Sequence, residues 1–547
     1  MGKAPAIDKA STWSPLRNPT FRSLWLSSGS SNLGALIQVV GAGWLMVQLT
    51  PSPVMVALVS SSNTLPMVVL SLLAGALADS FDRRRLMILA QSFMALAAAG
   101  LTLAVYFGTI TPVLLLVFTF LIGCGKAMFN PAWQASVGDI VPRREVAAAV
   151  SLNSMAFNVM RSVGPAAGGA IVAAAGAAAA FLINTLSFIP LIWSIWRWRP
   201  DTPPRRLPRE PLIAALGAGF RYLSMSPALG RVMLRGGLFG FGASAALALM
   251  PLVARDLLEG DAFTYGLLLG FFGAGALVAG LVGVPLRDRL GSEKVTRLAF
   301  ALFALGLAGI SVGRSLLVTG PAMMLCGCAW VMALALFNIT VQLSTARWVV
   351  GRALSLHHTA TFGGIALGGW IWGMVAAAEG VATAHMVAAL VLLLAMAASR
   401  WIAITDPGSL DLDPLGRFRA PDLRLDLRPS SGPIMVMVDY RIATEDTDAF
   451  LAVMQQRRRI RIRDGARQWA LLRDLEDPET WTEAYHVPTW AEYIRHNERR
   501  TKSDAEVAER LYALHRGPQR PRVHRMIERQ TVPAHEDLPL KAPPELH

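Results

Sequence analysis

The first 405 positions alternate between long apolar runs and short polar breaks. The runs cover 22–49, 54–78, 86–107, 112–134, 146–174 and 178–196 and, after a wider break, 231–254, 263–284, 295–313, 316–343, 353–377 and 381–404. Each approaches or exceeds the ~20 residues that an α-helix needs to cross a hydrocarbon core. The pattern predicts twelve transmembrane helices, six on either side of the Pro/Arg-rich break at Pro200–Pro211. Past Asp406 the period changes. A Pro/Asp/Arg stretch, 406–432, leads into Ile434–Ile442, whose alternation is that of a strand. Helical spacing follows over 446–460, strand patterns over 467–473 and 480–487, a helix over 503–514 and a strand over 521–528. The order βαββαβ predicts an α+β ferredoxin-like soluble domain.

Charge adds an orientation. Alternate connections carry Arg83–Arg85, Arg143–Arg144, the 197–221 stretch, Arg287/Arg289/Lys294/Arg297 and Arg347/Arg352, whereas the other set holds little beyond Arg255 and Arg314. Basic loops stay in the cytoplasm, so both termini are expected inside the cell, in an inner-membrane protein. Of the 547 residues 53% are hydrophobic and 16% charged, well below the ~25% charge of soluble domains. The net charge of +14 lies wholly before Gly432, because 432–547 holds 19 basic and 19 acidic residues. An excess confined to loops between apolar spans fits a lipid bilayer and argues against nucleic acid. Cys124, Cys326 and Cys328 sit in apolar runs and offer too few ligands for a metal, so no metal or cofactor is expected. The first twenty residues lack the charged-then-apolar layout of a signal peptide.

The two halves repeat each other. Phe129-Asn130-x3-Gln134-x-Ser136 returns as Phe337-Asn338-x3-Gln342-x-Ser344, and Gly164-x3-Gly168-Gly169 as Gly364-x3-Gly368-Gly369. Asp79 after span two has its counterpart in Asp288 after span eight. Parallel repeats of this kind build transporters whose halves are related by an axis along the membrane normal.

The connection after span two, Gly75-Ala-Leu-Ala-Asp79-Ser-Phe-Asp82-Arg83-Arg84-Arg85, resembles the major facilitator signature G-x3-D-[RK]-x-G-[RK]-[RK], with Ser80 and Asp82 departing from it. The second half keeps Asp288-Arg289-x-Gly291. In span five, Gly164-Pro165-x2-Gly168-Gly169 is similar to the signature of exporting major facilitator antiporters. Phe21-Arg22-x-Leu24-Trp25, Leu49-Thr50-x-Ser52-Pro53, Pro131-Ala132-x-Gln134-Ala135 and Pro142-Arg143-x-Glu145 extend the likeness. The run from Phe21 to Asp406 resembles the transmembrane secretion effectors, the branch related to the enterobactin exporter. The resemblance implies a secondary exporter of small molecules (a siderophore, drug or secondary metabolite) working by alternating access and coupled to an ion, a proton first. It assigns the conformational gate to Gly75, Asp79, Arg83, Arg84, Asp288, Arg289 and Gly291. Import of a solute, and a transporter fused to a metabolite-binding or oxidising domain, stand as alternatives. No Gly-x4-Gly-Lys-[Ser/Thr] occurs, which leaves an ion gradient as the energy source.

Ionisable groups inside a span cost ~2.5–3.5 kcal/mol each on insertion scales, which marks them as functional candidates. Ser154, Asn158, Arg161 and Pro165 share one helical face, Lys126, Asn130 and Gln134 another, and Asn338 and Gln342 a third. These are the expected lining of a substrate cavity, with Arg161 toward an anionic group or a carboxylate partner. No Asp or Glu falls deep inside a span; His357 and His358 are the other titratable candidates.

The C-terminal strand–helix order and Pro488-x-Trp490-x-Glu492-Tyr493 resemble the dimeric α/β barrels of antibiotic-biosynthesis monooxygenases. That resemblance implies a homodimer whose sheets pack together over the apolar face of Ile434–Ile442. It leaves His486, Trp490, Tyr493 and His496 as either pocket or core residues, with no catalytic set carried over, so the chain is read as a transporter and not an enzyme. Arg457–Arg463 reads as a solvated face, with anionic lipid the alternative. The expected organisation is a cytoplasmic segment 1–20, six-helix halves 21–199 and 230–405 joined by a linker 200–229, a second linker 406–432, the ferredoxin-like domain 433–530 and a flexible tail 531–547.

Overall fold

The computed structural model describes residues 13–142, 145–199, 212–404, 411–416 and 418–528. Arg143, Arg144, the Pro200–Pro211 break and the 531–547 tail lie outside the described residues, as does the side chain of Asp79. The chain forms two compact units. One comprises Met1–Pro203, Arg231–Thr340 and Leu354–Asp406; the other comprises Pro204–Gly230, Val341–Ala353 and Pro407–His547.

Helices make the first unit. In chain order they are α1 (Pro19–Leu49), α2 (Pro53–Ser80), α3 (Arg83–Tyr106), α4 (Pro112–Ile140) and α5 (Val146–Arg197). After α6 (Leu212–Ser224), which belongs to the second unit, come α7 (Pro227–Ala248), α8 (Ala262–Leu290), α9 (Ser292–Val312), α10 (Leu316–Leu343), α11 (Val350–Glu379) and α12 (Val381–Ala398). Their starts are written locally. Asn18 and Thr111 accept bonds from the first-turn amides of α1 and α4, each with proline at the opening position, where its missing N–H costs nothing. Asp82 and Asp261 cap α3 and α8 in the same way.

Among the described residues eleven helices are long and apolar enough to cross a membrane. At 1.5 Å per residue the 52-residue α5 would be ~78 Å long, over twice a hydrocarbon core. Gly176 resolves this with φ +78° and ψ 171°, a conformation open essentially to glycine alone, so α5 is two arms and the candidate crossings among the described residues number twelve.

The second unit carries a four-stranded antiparallel sheet of β1 (Ile434–Arg441), β2 (Arg467–Arg473), β3 (Thr480–Val487) and β4 (Arg522–Ile527), ordered β2-β3-β1-β4. Its helices are α13 (Thr447–Asp464), α14 (Trp490–Glu498) and α15 (Lys502–Leu514). Val438, Tyr440 and Ile442 pack with Phe450, Met454, Trp481 and Leu511, while Ile434 and Val436 pack with Tyr485, Val487 and Tyr493. This corrects one expectation: the apolar face of Ile434–Ile442 is 0–3% exposed beneath the domain's own helices and is not free to pair with a second sheet.

Candidate functional site

The small residues of α5 and α11 set how the two halves meet. A Cβ on Gly164 or Gly168 would press on Leu36 and Ile37 of α1, and one on Gly169 would lie 2.6 Å from the Ala262 carbonyl of α8. Gly266 of α8 answers with 2.6 Å to the Pro165 carbonyl. The second half repeats the arrangement: Gly364 and Gly368 abut Gly237 and Phe241 of α7, and Gly369 abuts Ser61 and Ala57 of α2. Each motif helix thus lies against the first helix of its own half and the second helix of the other, with backbones too close for side chains. The α2–α11 contact is graded. A Cβ on Gly373 would meet Ala57 at 2.9 Å, and Ser61 Oγ donates to Ala366 O at 2.9 Å. A Cβ on Gly363 would meet only Val68, at 3.9 Å, and one on Gly75 only Ser355, at 3.6 Å. Gly75 therefore has room for a side chain here.

Arg161 lies where the halves face each other. Its guanidinium sits 4.9 Å from the Phe272 ring of α8 and 5.9 Å from the Trp330 ring of α10. Among the described residues no carboxylate reaches it within ion-pair distance. Asn338 Oδ1 is 3.2 Å from His358 Nε2, joining α10 to α11, and the buried His357 ring packs on Phe337 and His358. Lys126, Asn130, Asn158 and Arg161 are half-buried, whereas Gln134 is exposed toward the end of α4. Gln342 is exposed in the last turn of α10 and belongs to the second unit.

The two loops expected to form the gate differ. Arg83 donates to Ala135 O at 3.0 Å and pairs with Asp139 at 2.8 Å, tying α3 to the end of α4. Arg84 donates to Ile195 O at 3.1 Å and also to Trp196 O, at the carbonyl end of α5, where a cation complements the helix dipole. In the second half Asp288 is exposed and pairs with its neighbour Arg287 at 3.2 Å, and Arg289 is exposed. Gly291, at φ +80°, makes the turn from α8 into α9.

Asp139 is absent from the sequence-based set, as is a second cluster. Arg235, 2% exposed in α7, pairs with Glu293 of α9. Glu293 also accepts from Arg297 at 2.7 Å and from the Ile404 amide at 2.9 Å. An arginine inside span seven carried the same intramembrane signal as Arg161.

In the second unit Arg457 and Arg461 are not solvated. They are 8% and 3% exposed and donate to the fully buried Glu483 at 2.9 and 3.1 Å, joined by Trp469 Nε1 at 3.1 Å and Tyr440 Oη at 3.3 Å. Burial opposes ionisation of Glu483, but the two guanidiniums outweigh it and hold its carboxyl well below the usual range. His496 is buried against Tyr485 and Arg461, and Tyr493 stacks on Trp490. His486 pairs with Met435 across the strands, on the face opposite Tyr485. The four candidate pocket residues therefore do not converge on one pocket.

The family described as transmembrane secretion effector matches residues 10–532, which take in the loop after span two, the span-five motif and the sheet domain. The chain belongs to the transmembrane secretion effector family. The multidrug efflux pump Tap of Mycolicibacterium fortuitum is 26% identical over 68% of this chain and 91% of its own. The staphyloferrin A transporter of Staphylococcus aureus is 24% identical, over 51% and 70% respectively. The enterobactin exporter EntS of Escherichia coli (strain UTI89) is 27% identical over 54% and 70%. A bacterial homolog of the human lysosomal transporter Spinster superposes with TM-score 0.58 at 16% identity, covering 71% of this chain and 97% of that one. The nucleoside transporter NupG gives 0.56 at 12%, covering 71% and 100%. These structures establish the major facilitator fold alone. The chain is a small-molecule major facilitator transporter with multiple membrane spans, and more than a quarter of it has no counterpart in those solved transporters.

Proposed function

We propose that this secretion effector exports an anionic, aromatic small molecule by alternating access, with Arg161 as its principal binding group. The observation that carries this reading is the Arg161 cation, held between Phe272 and Trp330 with no carboxylate within ion-pair distance among the described residues. An arginine that needed only structural satisfaction would have an acid beside it, as Arg235 has Glu293. Two flanking rings and a desolvated cation suit an aromatic anion. Lys126, Asn130, Asn158, Asn338 and Gln134 extend the polar lining in this reading; Gln342, in the second unit, is left out of it. Export is favoured by the Gly164–Gly169 motif and by the likeness to the efflux pump Tap and the exporter EntS. With both termini in the cytoplasm of an inner-membrane protein, the graded α2–α11 contact closes the outer side and loosens the inner one. A proton gradient is the proposed drive, with His357 and His358 as the titrating groups beside Asn338.

The C-terminal domain is read as ferredoxin-like, supported by its antiparallel order β2-β3-β1-β4. In this reading it has a non-catalytic role, supported by His486 and His496 lying on opposite faces of the sheet. A homodimer would use the other sheet face, with Met435, Met437 and Met526.

The test is uptake into inverted proteoliposomes of carboxyfluorescein, an anionic aromatic, against ethidium, a cationic one. Arg161→Ala is expected to cut carboxyfluorescein transport at least ~10-fold, as for loss of a charge-assisted contact, and Arg161→Lys to retain part of it. Equal carboxyfluorescein rates in all three proteins would remove Arg161 from the site.

A further inference from the structure

The second compact unit contains more than the sheet domain. It takes in the connection between the six-helix halves, Pro204–Gly230, and the connection between α10 and α11, Val341–Ala353. Both connections follow an even-numbered crossing, and so does the tail, so all three emerge on one side of the bilayer. Their contacts form a layered stack. The Ala346 amide donates to Tyr222 Oη of α6 at 3.1 Å, and the Tyr222 and Trp348 rings meet edge to face at 5.8 Å. The sheet domain covers both rings with a cation apiece. Arg463, at the end of α13, lies 5.6 Å over Tyr222, and Arg499, after α14, lies 4.4 Å over Trp348.

The two cations are themselves fixed. Arg463 pairs with Asp464 at 2.9 Å and Asp504 at 2.7 Å, and Arg499 donates to the Asp464 carbonyl at 3.0 Å. A second strap runs alongside: Arg347 pairs with Asp413 at 2.9 Å, and Lys502 of α15 reaches Asp411 at 2.9 Å and Asp413 at 3.5 Å. Every member of the stack is polar or aromatic and specifically placed.

We propose that the C-terminal domain is a brake on transport, clamping the inter-half linker helix α6 to the connection between α10 and α11. The linker is the only covalent tie between the halves, and Trp348 lies ten residues along the chain from each of Asn338 and His358, which join α10 to α11. Rocking of the halves must move the linker against at least one of these helices. A contact that holds the two together favours one state, and its loss shifts the balance by the free energy that distinguishes the states. What is braked rests on the transport reading above; the clamp itself does not.

The test uses the full chain in proteoliposomes and two opposed changes. Trp348→Ala and Arg499→Gln, each removing one layer, are expected to speed amide hydrogen exchange across 212–224 and to raise carboxyfluorescein transport about threefold, the scale of one lost cation–aromatic contact. The reverse change locks the clamp. A Cβ on Gly219 of α6 would lie 3.0 Å from that of Arg352, so a disulfide forms once the two positions part by about half an ångström or a little more. The pair G219C/R352C is expected to stop transport when oxidised and to recover it on reduction. Unchanged exchange in 212–224 would overturn the clamp. Faster exchange with transport unchanged or lowered, or full transport by the oxidised pair, would overturn the brake. A wild type that moves neither carboxyfluorescein nor ethidium sinks the transport reading instead, and exchange in 212–224 still decides the clamp.

Discussion

Two arginine sites, one buried in the sheet domain and one half-buried in the membrane unit, treat charge in opposite ways. In the sheet domain Arg457 and Arg461 enclose Glu483, and Trp469 and Tyr440 complete its hydrogen bonds. In the membrane unit Arg161 has two aromatic faces and no acid among the described residues. Both burials are costly. The first is compensated within the protein, so it specifies structure. The second is compensated only in part among the described residues, which is why the proposed function gives its remaining capacity to a ligand.

The comparison breaks most readily at Glu483. Glu483→Gln leaves two buried guanidiniums without a counter-charge, a loss of about 3–5 kcal/mol for a broken buried pair. The sheet domain is expected to unfold and become protease-sensitive while the membrane unit still inserts. Arg161→Ala strands no buried partner, so that variant is expected to keep its thermal midpoint while losing transport. A Glu483→Gln protein with native proteolytic resistance would show that the pairing contributes little.

Asp464 sharpens the contrast through pH. Burial pushes its carboxyl up to about 6 from 3.8, against the opposing pull of Arg463; Asp504, Arg499 and Arg221 are the other charged groups facing it. The folded domain thus holds this proton more tightly than the unfolded chain. Its contribution is full below about pH 4 and declines as pH rises to about 6, by on the order of 3 kcal/mol. Glu483 has the opposite sign: its contribution is full above its unfolded value of 4.5 and declines as pH falls below it, so it opposes the Asp464 slope only at the acid edge of this window. Hydrogen exchange from β3 in the full-length protein is expected to quicken between pH 4 and 6 after correction for intrinsic rates. Asp464→Asn should flatten that slope, and an unchanged slope would assign it elsewhere.

Much of this architecture was legible because it is local or repeated. Apolar runs locate the crossings, and the recurrence of Gly164–Gly169 at Gly364–Gly369 anticipates matching packing faces. Strand limits at 467–473 and 480–487 coincide with β2 and β3. What the sequence hides is pairing at a distance. Arg457 and Arg461 look solvated in a run of five arginines, and only folding brings Glu483 under them. Helix α14 was missed although Thr489-x2-Glu492 is a start signal and Thr489 does cap it. The clamp was invisible for the same reason as Glu483: Trp348 and Arg499 are 151 residues apart.

A smaller effect is expected at the two candidate gate loops, which the sequence makes look equivalent. Arg84 holds the carbonyl end of α5 and Arg83 reaches Asp139, so the first-half loop links three helices. Asp288 and Arg289 are exposed, and Asp288 meets only an adjacent arginine, an exposed pair worth roughly 0–1 kcal/mol. Arg84→Gln is therefore expected to change carboxyfluorescein transport several-fold, because it removes two bonds at a helix end. Asp288→Asn should leave the rate within about twofold, since the lost pair is screened and touches one helix alone. Transport rates of the two variants in the same liposomes check the difference. A large loss from Asp288→Asn would mean that this carboxylate gains a partner in the other conformation, and that the two loops exchange roles as the halves rock.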